Sequence, residues 1–349
     1  MQRHLLDLDP MGLGDGLAGV GEAAFRAGQV LEWVFRRGAT EFSAMTDLPR
    51  GLRERLAGEF RVLAGEEVER REAPDGTVKI LLRWSDGAST ETVMIPASDH
   101  GRARRTVCLS TQVGCDVGCR FCASGIGGAL RDLTVGEVLE QALRVERLLG
   151  ERGERLTHVV FMGMGEPLAN YEVTVAAVRR LAAPWGLGLS QRRIAVSTVG
   201  LPKPIERLAA EGLHANLALS LHAPNERLRS ELIPWARGID LERLLASCRR
   251  YFDRTGRELT LEYCLLAEVN DLPAHADQLA AIARDLRAHV NLLMYNPVPG
   301  LPYERPSRNR AIAFLRRLRA RGARAHLRES RGLAADAACG QLRRRLDVA

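Results

Sequence analysis

Three cysteines, Cys115, Cys119 and Cys122, stand at C-x3-C-x2-C spacing. Thiols this close together either bind a metal or react. Structural zinc closes four ligands, usually from paired knuckles, whereas here no fourth ligand is near and Phe121 directly precedes the last cysteine. Three thiolates can instead hold a [4Fe–4S] cluster and leave one iron open to an outside ligand. A second group is the run Gly163-Met164-Gly165-Glu166-Pro167. Its small residues let backbone approach a ligand closely, and the Glu166 carboxylate can accept hydrogen bonds from an amino group. Ser197, the run Ser220-Leu221-His222 and Asn296 offer further hydrogen-bonding groups. Two more thiols attract attention: Cys108, just before the triad, and Cys339, in the small-residue stretch Ala337-Ala338-Cys339-Gly340, which reads as flexible. Cys248 and Cys264 read as inert core thiols, Cys264 lying between Tyr263 and Leu265 in an apolar run.

The elements that must position these groups follow from periodicity. Ala27, Val30, Leu31 and Val34 make one helical face, and Leu52 to Phe60 reads as another helix, so Gly21 to Phe60 is a helical region. Val68–Glu72, Val78–Trp84 and Thr90–Ile95, separated by Pro74-Asp75-Gly76 and Ser85-Asp86-Gly87, read as a short antiparallel meander. From Thr106 strands and helices alternate. The expected strands are Thr106–Leu109, His158–Met162, Ile194–Ser197, Asn216–Leu221, Leu259–Leu265, Val290–Tyr295 and Arg324–Leu327. Thr134 and Glu137 form a capping box at the first helix of this series. Alternation implies parallel β/α units. About six units are too few for a closed eight-fold barrel, so an α/β fold with a partial barrel is expected, its reactive rim at the strand ends. The expected division is 1–60 helical, 61–100 β-rich extension, 101–340 partial barrel and 341–349 a basic, loose tail.

Composition narrows the function classes. At 46% hydrophobic and 27% charged residues, the 349-residue chain is globular rather than disordered. No apolar run approaches the ~20 residues of a membrane span, and Asp7 and Asp9 interrupt any secretory-type start. Seven cysteines, an odd number, argue against a disulfide framework and for reduced thiols in a cytoplasm. Lys79 and Lys203 are the only lysines among 50 basic residues, leaving 48 arginines, and the net charge is +7. A basic excess suits a nucleic-acid partner; a GC-rich genome would equally explain the arginine bias. The stretch Arg316 to Arg324 reads as the solvated face of a helix.

Taken in order, GEAAFRAGQVLEWVFRRG, MTDLP, ETVMIP, TVCLSTQVGCDVGCRFCASG, VVFMGMGEPLANY, RRIAVSTVG, LALSLHAPNE, NLLMYNP and AACGQL resemble the RlmN/Cfr family of radical S-adenosylmethionine RNA adenine methyltransferases. The resemblance spans nearly the whole chain. The run Glu166-Pro167-Leu168-x-Asn170-Tyr171 is more similar to the branch that methylates carbon 2 of adenosine in 23S rRNA and tRNA than to the carbon-8, Cfr-type branch.

The resemblance implies a radical-SAM partial (β/α)6 barrel with a small N-terminal helical domain and a short antiparallel β extension. It implies that Cys115, Cys119 and Cys122 bind a [4Fe–4S] cluster, and that Gly165, Glu166, Ser197, Ser220, Leu221, His222 and Asn296 hold S-adenosylmethionine. Cys339 would carry the methyl group, Cys108 would resolve the adduct and Glu91 would accept a proton, by way of a 5′-deoxyadenosyl radical. The partners implied are 23S rRNA, tRNA and a flavodoxin- or ferredoxin-like electron donor, with the enzyme a cytoplasmic monomer. Phe25, Arg26, Trp33, Arg36 and Arg37 would contact RNA, unless Phe25 and Trp33 belong to the small domain's core. Three departures stand out: Leu333-Ala334-Ala335-Asp336 after Gly332, Met294 where proline is usual, and Ser124 where threonine is usual. They leave the chemistry intact and bear on exact substrate choice. The alternative readings are a carbon-8 enzyme of the Cfr type and a non-catalytic RNA-binding paralogue; the intact three cysteines, Cys339 and Glu166 argue against the latter.

Overall fold

The computed structural model describes residues 2–99 and 102–343. The N-terminal region is helical: α1 (Pro10–Ala18), α2 (Arg26–Phe35) and α3 (Arg50–Glu59). Helix α2 buries the expected face, Ala27, Val30, Leu31 and Val34, and adds Phe35. Helix α1 lies outside the helical pattern expected from Gly21 onward. Its three glycines lower helix propensity, but Asp9 Oδ1 accepts the Gly12 N–H at 2.8 Å, Pro10 opens the first turn, and Leu13 and Leu17 are buried one turn apart.

Ten strands form one sheet. The first three are β1 (Glu66–Glu72), β2 (Val78–Arg83) and β3 (Ser89–Asp99). The next four are β4 (Arg102–Cys108), β5 (His158–Phe161), β6 (Ile194–Thr198) and β7 (Asn216–Ser220), followed by β8 (Thr260–Leu265), β9 (His289–Met294) and β10 (Arg324–Arg328). Their spatial order is their chain order, β1 to β10, without a crossover in rank. Strands β4 to β10 are parallel, and each connection passes through helix: α4 (Val135–Gly150), α5 (Tyr171–Ala182), α6 (Pro202–Leu208), α7 (Glu226–Leu232) with α8 (Leu241–Thr255), α9 (Pro273–Asp285) and α10 (Arg308–Ala320). Six β/α units and a closing strand make the partial barrel. Strands β1 to β3 are antiparallel, and Val93 of β3 pairs with Cys108 of β4. The meander is therefore the continuation of the barrel sheet, and the hydrogen-bonded ladder between β3 and β4 runs across the expected division near residue 100.

The Thr134–Glu137 capping box forms at α4 as expected. The N-terminal region joins the barrel there: Asp7 Oδ1 accepts the Gly136 N–H at 2.8 Å, and His4 Nε2 lies 3.0 Å from Glu140 Oε2. Along the parallel strands alternate residues face opposite ways. On β8, Leu261, Tyr263 and Leu265 enter the main core, and Tyr263 stacks on Phe314 of α10 at 5.7 Å, while Glu262 and Cys264 line the barrel mouth. Cys264 is thus not the core thiol expected from its apolar neighbours.

The C-terminal segment corrects a second expectation. Leu342 is buried among Val93, Cys108, Val160, Ala335 and Ala337. Gln341 Nε2 donates to Pro297 O at 3.1 Å, and the Arg343 N–H donates to Glu91 Oε2 at 3.0 Å. Residues 341–343 are therefore packed, not loose; the rest of the expected tail, 344–349, lies outside the described residues. No helix among the described residues is long and apolar enough to cross a membrane.

Candidate active site

The loop between β4 and α4 carries the three-cysteine motif. Its base is closed by an antiparallel ladder pairing Gln112–Val113 with Arg131–Asp132. Gly114, at φ 87°, lets the two limbs meet: a Cβ there would lie 2.0 Å from Gly128 O. Beyond it Cys115, Cys119 and Cys122 sit in an apolar cup with Val117, Phe121, Leu228, Leu232 and Tyr295. Burial pushes the Cys115 thiol up to about 12 and raises Cys119 and Cys122 as well; the neighbouring cysteines raise Cys119 further. Three thiols that resist ionisation together need a strongly cationic ligand to hold them as thiolates. Among the described residues no three His, Cys, Asp or Glu side chains converge to grip a single metal ion, as closed zinc would require. A cluster, whose thiolates sit on separate irons, fits this donor set better.

The cup opens into a cavity of about 1000 Å³, its open mouth included. Gly165, Glu166, Ser197, Ser220, His222 and Asn296 all line it. At Gly165, φ 102°, a Cβ would strike the Gln112 side chain at 2.7 Å, so the turn can press against the cluster loop only as glycine. Glu166 is buried; its carboxylate accepts the Leu168 N–H at 2.9 Å and the Val199 N–H at 2.8 Å. Burial nevertheless raises its pKa to about 7. Ser197 and Ser220 hydroxyls pair at 3.2 Å. His222 adopts a left-handed conformation, φ 54°. Its Nδ1 accepts the Cys264 N–H at 3.0 Å, and burial with nearby Arg229 lowers its pKa to about 3, so the ring is neutral with its proton on Nε2. Leu221 is the exception: strand alternation turns its side chain into the main core, and only its two neighbours reach the cavity.

Cys339 also lines this cavity. Its segment is pinned to the cluster loop: the Ala123 N–H donates to Gly340 O at 2.8 Å, and Ser124 Oγ donates to Leu342 O at 2.6 Å. Asn296 Nδ2 donates to Cys339 O at 3.0 Å. Ser124, a departure from the usual threonine, keeps the hydroxyl this contact needs. Cys108 ends β4 and shares an adjoining cavity with Cys339. Burial, reinforced by Cys339, pushes the Cys108 thiol up to about 12. Both cysteines are free thiols. Glu91 is fully buried, 3.0 Å from Lys79 Nζ, and beneath the Arg343 amide rather than among the residues lining the cavity.

Sequence reasoning missed several lining groups. Glu262, on β8, accepts from Asn291 Nδ2 at 2.7 Å, and burial raises its pKa to about 7 against the pull of Arg328, which also lines the cavity. A carboxylate within the apolar run Leu259–Leu266 was the available signal. In the N-terminal region Phe25 is 68% exposed and so not core. Trp33 is half-buried, donates to Asp47 Oδ1 at 2.5 Å and carries Arg37 over its ring at 4.3 Å. Arg26 lies 5.5 Å from the Phe25 ring, while Arg36 donates to Pro184 O at 2.6 Å. In the arginine-rich stretch, Arg317 and Arg321 both pair with Asp277.

A three-thiol loop after the first parallel strand, and a buried carboxylate at the end of the next, define this chain as a radical S-adenosylmethionine enzyme. Residues 109–280 match the Radical SAM superfamily, and residues 3–62 match the ribosomal RNA large subunit methyltransferase N-terminal domain. The chain is 46% identical over 343 residues to a probable dual-specificity RNA methyltransferase RlmN of Rhodopirellula baltica, covering 98% of this chain and 91% of that relative. To the corresponding Desulforudis audaxviator protein it is 50% identical over 315 residues, covering 90% and 97%. A crystal structure of a radical SAM methyltransferase from Sphaerobacter thermophilus superposes with a TM-score of 0.94 at 46% identity, covering 97% of this chain and 99% of the other. The chain belongs to the RlmN family of radical SAM RNA methyltransferases. Its cofactors are accordingly a [4Fe–4S] cluster and S-adenosylmethionine.

Proposed function

We propose that the protein methylates carbon 2 of adenosine in 23S rRNA, in the peptidyl transferase region, and in tRNA, 3′ of the anticodon. The observation that carries this reading is the placement of two free thiols, Cys339 and Cys108, in adjoining cavities beside the three-cysteine loop. Carbon 2 of adenine is a poor nucleophile, so it cannot simply displace a sulfonium methyl group. Together the cluster and S-adenosylmethionine supply a methyl group and a one-electron route to activating it. Cys115, Cys119 and Cys122 hold the cluster; Gly165, Glu166, Ser197, Ser220, His222 and Asn296, with Leu221 through its backbone, hold the cofactor.

Cys339 is the methyl carrier, since a thiolate is the competent nucleophile for displacement at a sulfonium carbon. After the carrier's one-carbon unit has bonded to carbon 2, the adenine must lose the proton it carried there. Glu91 is the acceptor, and to receive that proton the Leu342–Arg343 backbone must lift off it. The unpaired electron left by the addition returns to the redox centre that supplied it. Cys108 then attacks the Cys339 sulfur, breaking its bond to the one-carbon unit, which takes up a proton to become the product methyl group, and a Cys108–Cys339 disulfide is left. Two electrons from a flavodoxin- or ferredoxin-like donor reopen it.

Phe25, Arg26, Trp33 and Arg37 form the RNA-facing patch, with arginine for phosphates and aromatic faces for bases. Catalysis takes place in the cytoplasm, by a monomer. The test is anaerobic turnover of 23S rRNA and tRNA transcripts with a chemical reductant, followed by mass spectrometry of the digested nucleosides. 2-Methyladenosine is expected; 8-methyladenosine would move the chain to the other branch, and no methylated adenosine would leave a non-catalytic RNA binder.

A further inference from the structure

Arg229, on α7, is 1% exposed and among the largest fully buried side chains of the protein. Its Nη2 donates to Val199 O. Its Nε and Nη1 are buried with no hydrogen-bond partner. No carboxylate pairs with it among the described residues; the acidic groups in electrostatic reach are the thiols Cys119 and Cys248. Neutral His222 supplies no counter-charge. A buried guanidinium with two idle nitrogens is expensive unless an anion completes it.

The surroundings say where that anion sits. Helix α7 packs on the three-cysteine loop: the Arg120 N–H donates to Leu232 O at 2.9 Å, and Leu228 and Leu232 share an apolar cluster with Cys115, Cys119 and Cys122. Arg229 is not among the residues lining the S-adenosylmethionine cavity. A four-iron cluster in its 2+ state bound by three thiolates has a net charge of −1, and one-electron reduction makes it −2.

We propose that Arg229 is the built-in counter-cation of the iron–sulfur cluster, a positioning residue that favours the reduced cluster through its charge on the Cys119 side. This rests on Cys119 being a cluster ligand. A fixed positive charge stabilises the more negative state more, so Arg229 raises the midpoint potential. In a desolvated site a full charge shifts such an equilibrium by roughly tenfold or more, about 59 mV for a one-electron couple.

The test is a redox titration of the reconstituted protein, followed by electron paramagnetic resonance without S-adenosylmethionine or RNA. Arg229→Met and Arg229→Gln should each lower the midpoint by that amount or more; Gln also retains a donor for Val199 O. Arg229→Lys keeps the charge and should stay near the wild-type midpoint. Cluster-free Arg229→Met should unfold no earlier than wild type, since an unpaired ion has been replaced by an apolar chain. A wild-type midpoint in Met or Gln overturns the proposal. So does a Lys midpoint as low as theirs, or an early-unfolding cluster-free Met variant, which would make Arg229 merely structural. An unchanged midpoint with weakened S-adenosylmethionine binding would assign the guanidinium to that ligand's carboxylate instead. Iron content of Cys119→Ala is measured in parallel: full retention removes the ligand assignment itself, independently of what Arg229 does.

Discussion

Lys79 is one of two lysines in a chain that otherwise uses arginine, and its site explains the choice. Its Nζ lies 3.0 Å from Glu91 Oε1 and donates to Asp336 O at 3.0 Å. Both side chains of the ion pair are almost wholly buried. A compact ammonium can serve a carboxylate and a carbonyl in this narrow space, where a planar guanidinium would need more room. Lys79→Met strips Glu91 of its ammonium and releases the segment that carries Cys339. Removing one partner of a buried pair costs about 3–5 kcal/mol. Replacing both, as in Lys79→Met with Glu91→Leu, restores most of that loss because no charge is left stranded. The assay is urea unfolding of the cluster-free protein for all three forms, with tryptic cleavage after Arg331 as the local readout. The single variant should lose stability and be cut faster, while the double variant should recover stability but remain inactive. A loss below ~1 kcal/mol in Lys79→Met, or an unchanged cleavage rate, would refute the reasoning.

Cys339→Ala should abolish RNA methylation while S-adenosylmethionine is still cleaved, seen as 5′-deoxyadenosine without methylated nucleoside by mass spectrometry. Cys108→Ala should trap a covalent protein–RNA adduct visible on denaturing gels; clean turnover would remove Cys108 from the scheme. Glu262, raised to about 7 from 4.5, favours its protonated form in the folded state. Its contribution to stability is full below about pH 4.5 and is lost as pH rises through about 7, on the order of 3 kcal/mol. Glu262→Gln should flatten that part of the stability–pH curve, and identical curves for the two proteins would show that Glu262 titrates normally.

Short-range chemistry makes much of the fold and site legible in the amino-acid sequence. The three-cysteine loop, the Gly165-Glu166 turn and Cys339 are local signals, and the α4 capping box is self-contained within four residues. The features that escape a sequence reading depend on distant partners. Helix α1 carries glycines that only tertiary burial of Leu13 and Leu17 offsets. Cys264 reads as core because its neighbours are apolar, but strand alternation turns it, with Glu262, toward the cavity. The C-terminal stretch reads as flexible because its small residues show no periodicity; they are small because they pack closely on Val93, Cys108 and Val160. Arg229 gives no signal at all, since an arginine in a short polar helix is ordinarily a solvent-facing residue.

The sequential order of the ten strands has a consequence for how the enzyme comes into being. Each strand finds its mate in the strand made just before it, so the sheet can grow from one edge as the chain leaves the ribosome. Cys339 emerges roughly 200 residues after Cys122, on the order of ten seconds or more at common synthesis rates. During that interval the three thiols of the loop already stand in the chain and Cys339 has yet to be made, while Cys108 precedes the loop and Cys248 and Cys264 emerge along the way. Metal loading early in that interval would precede the arrival of Cys339, the thiol that the proposed chemistry needs free to carry a methyl group.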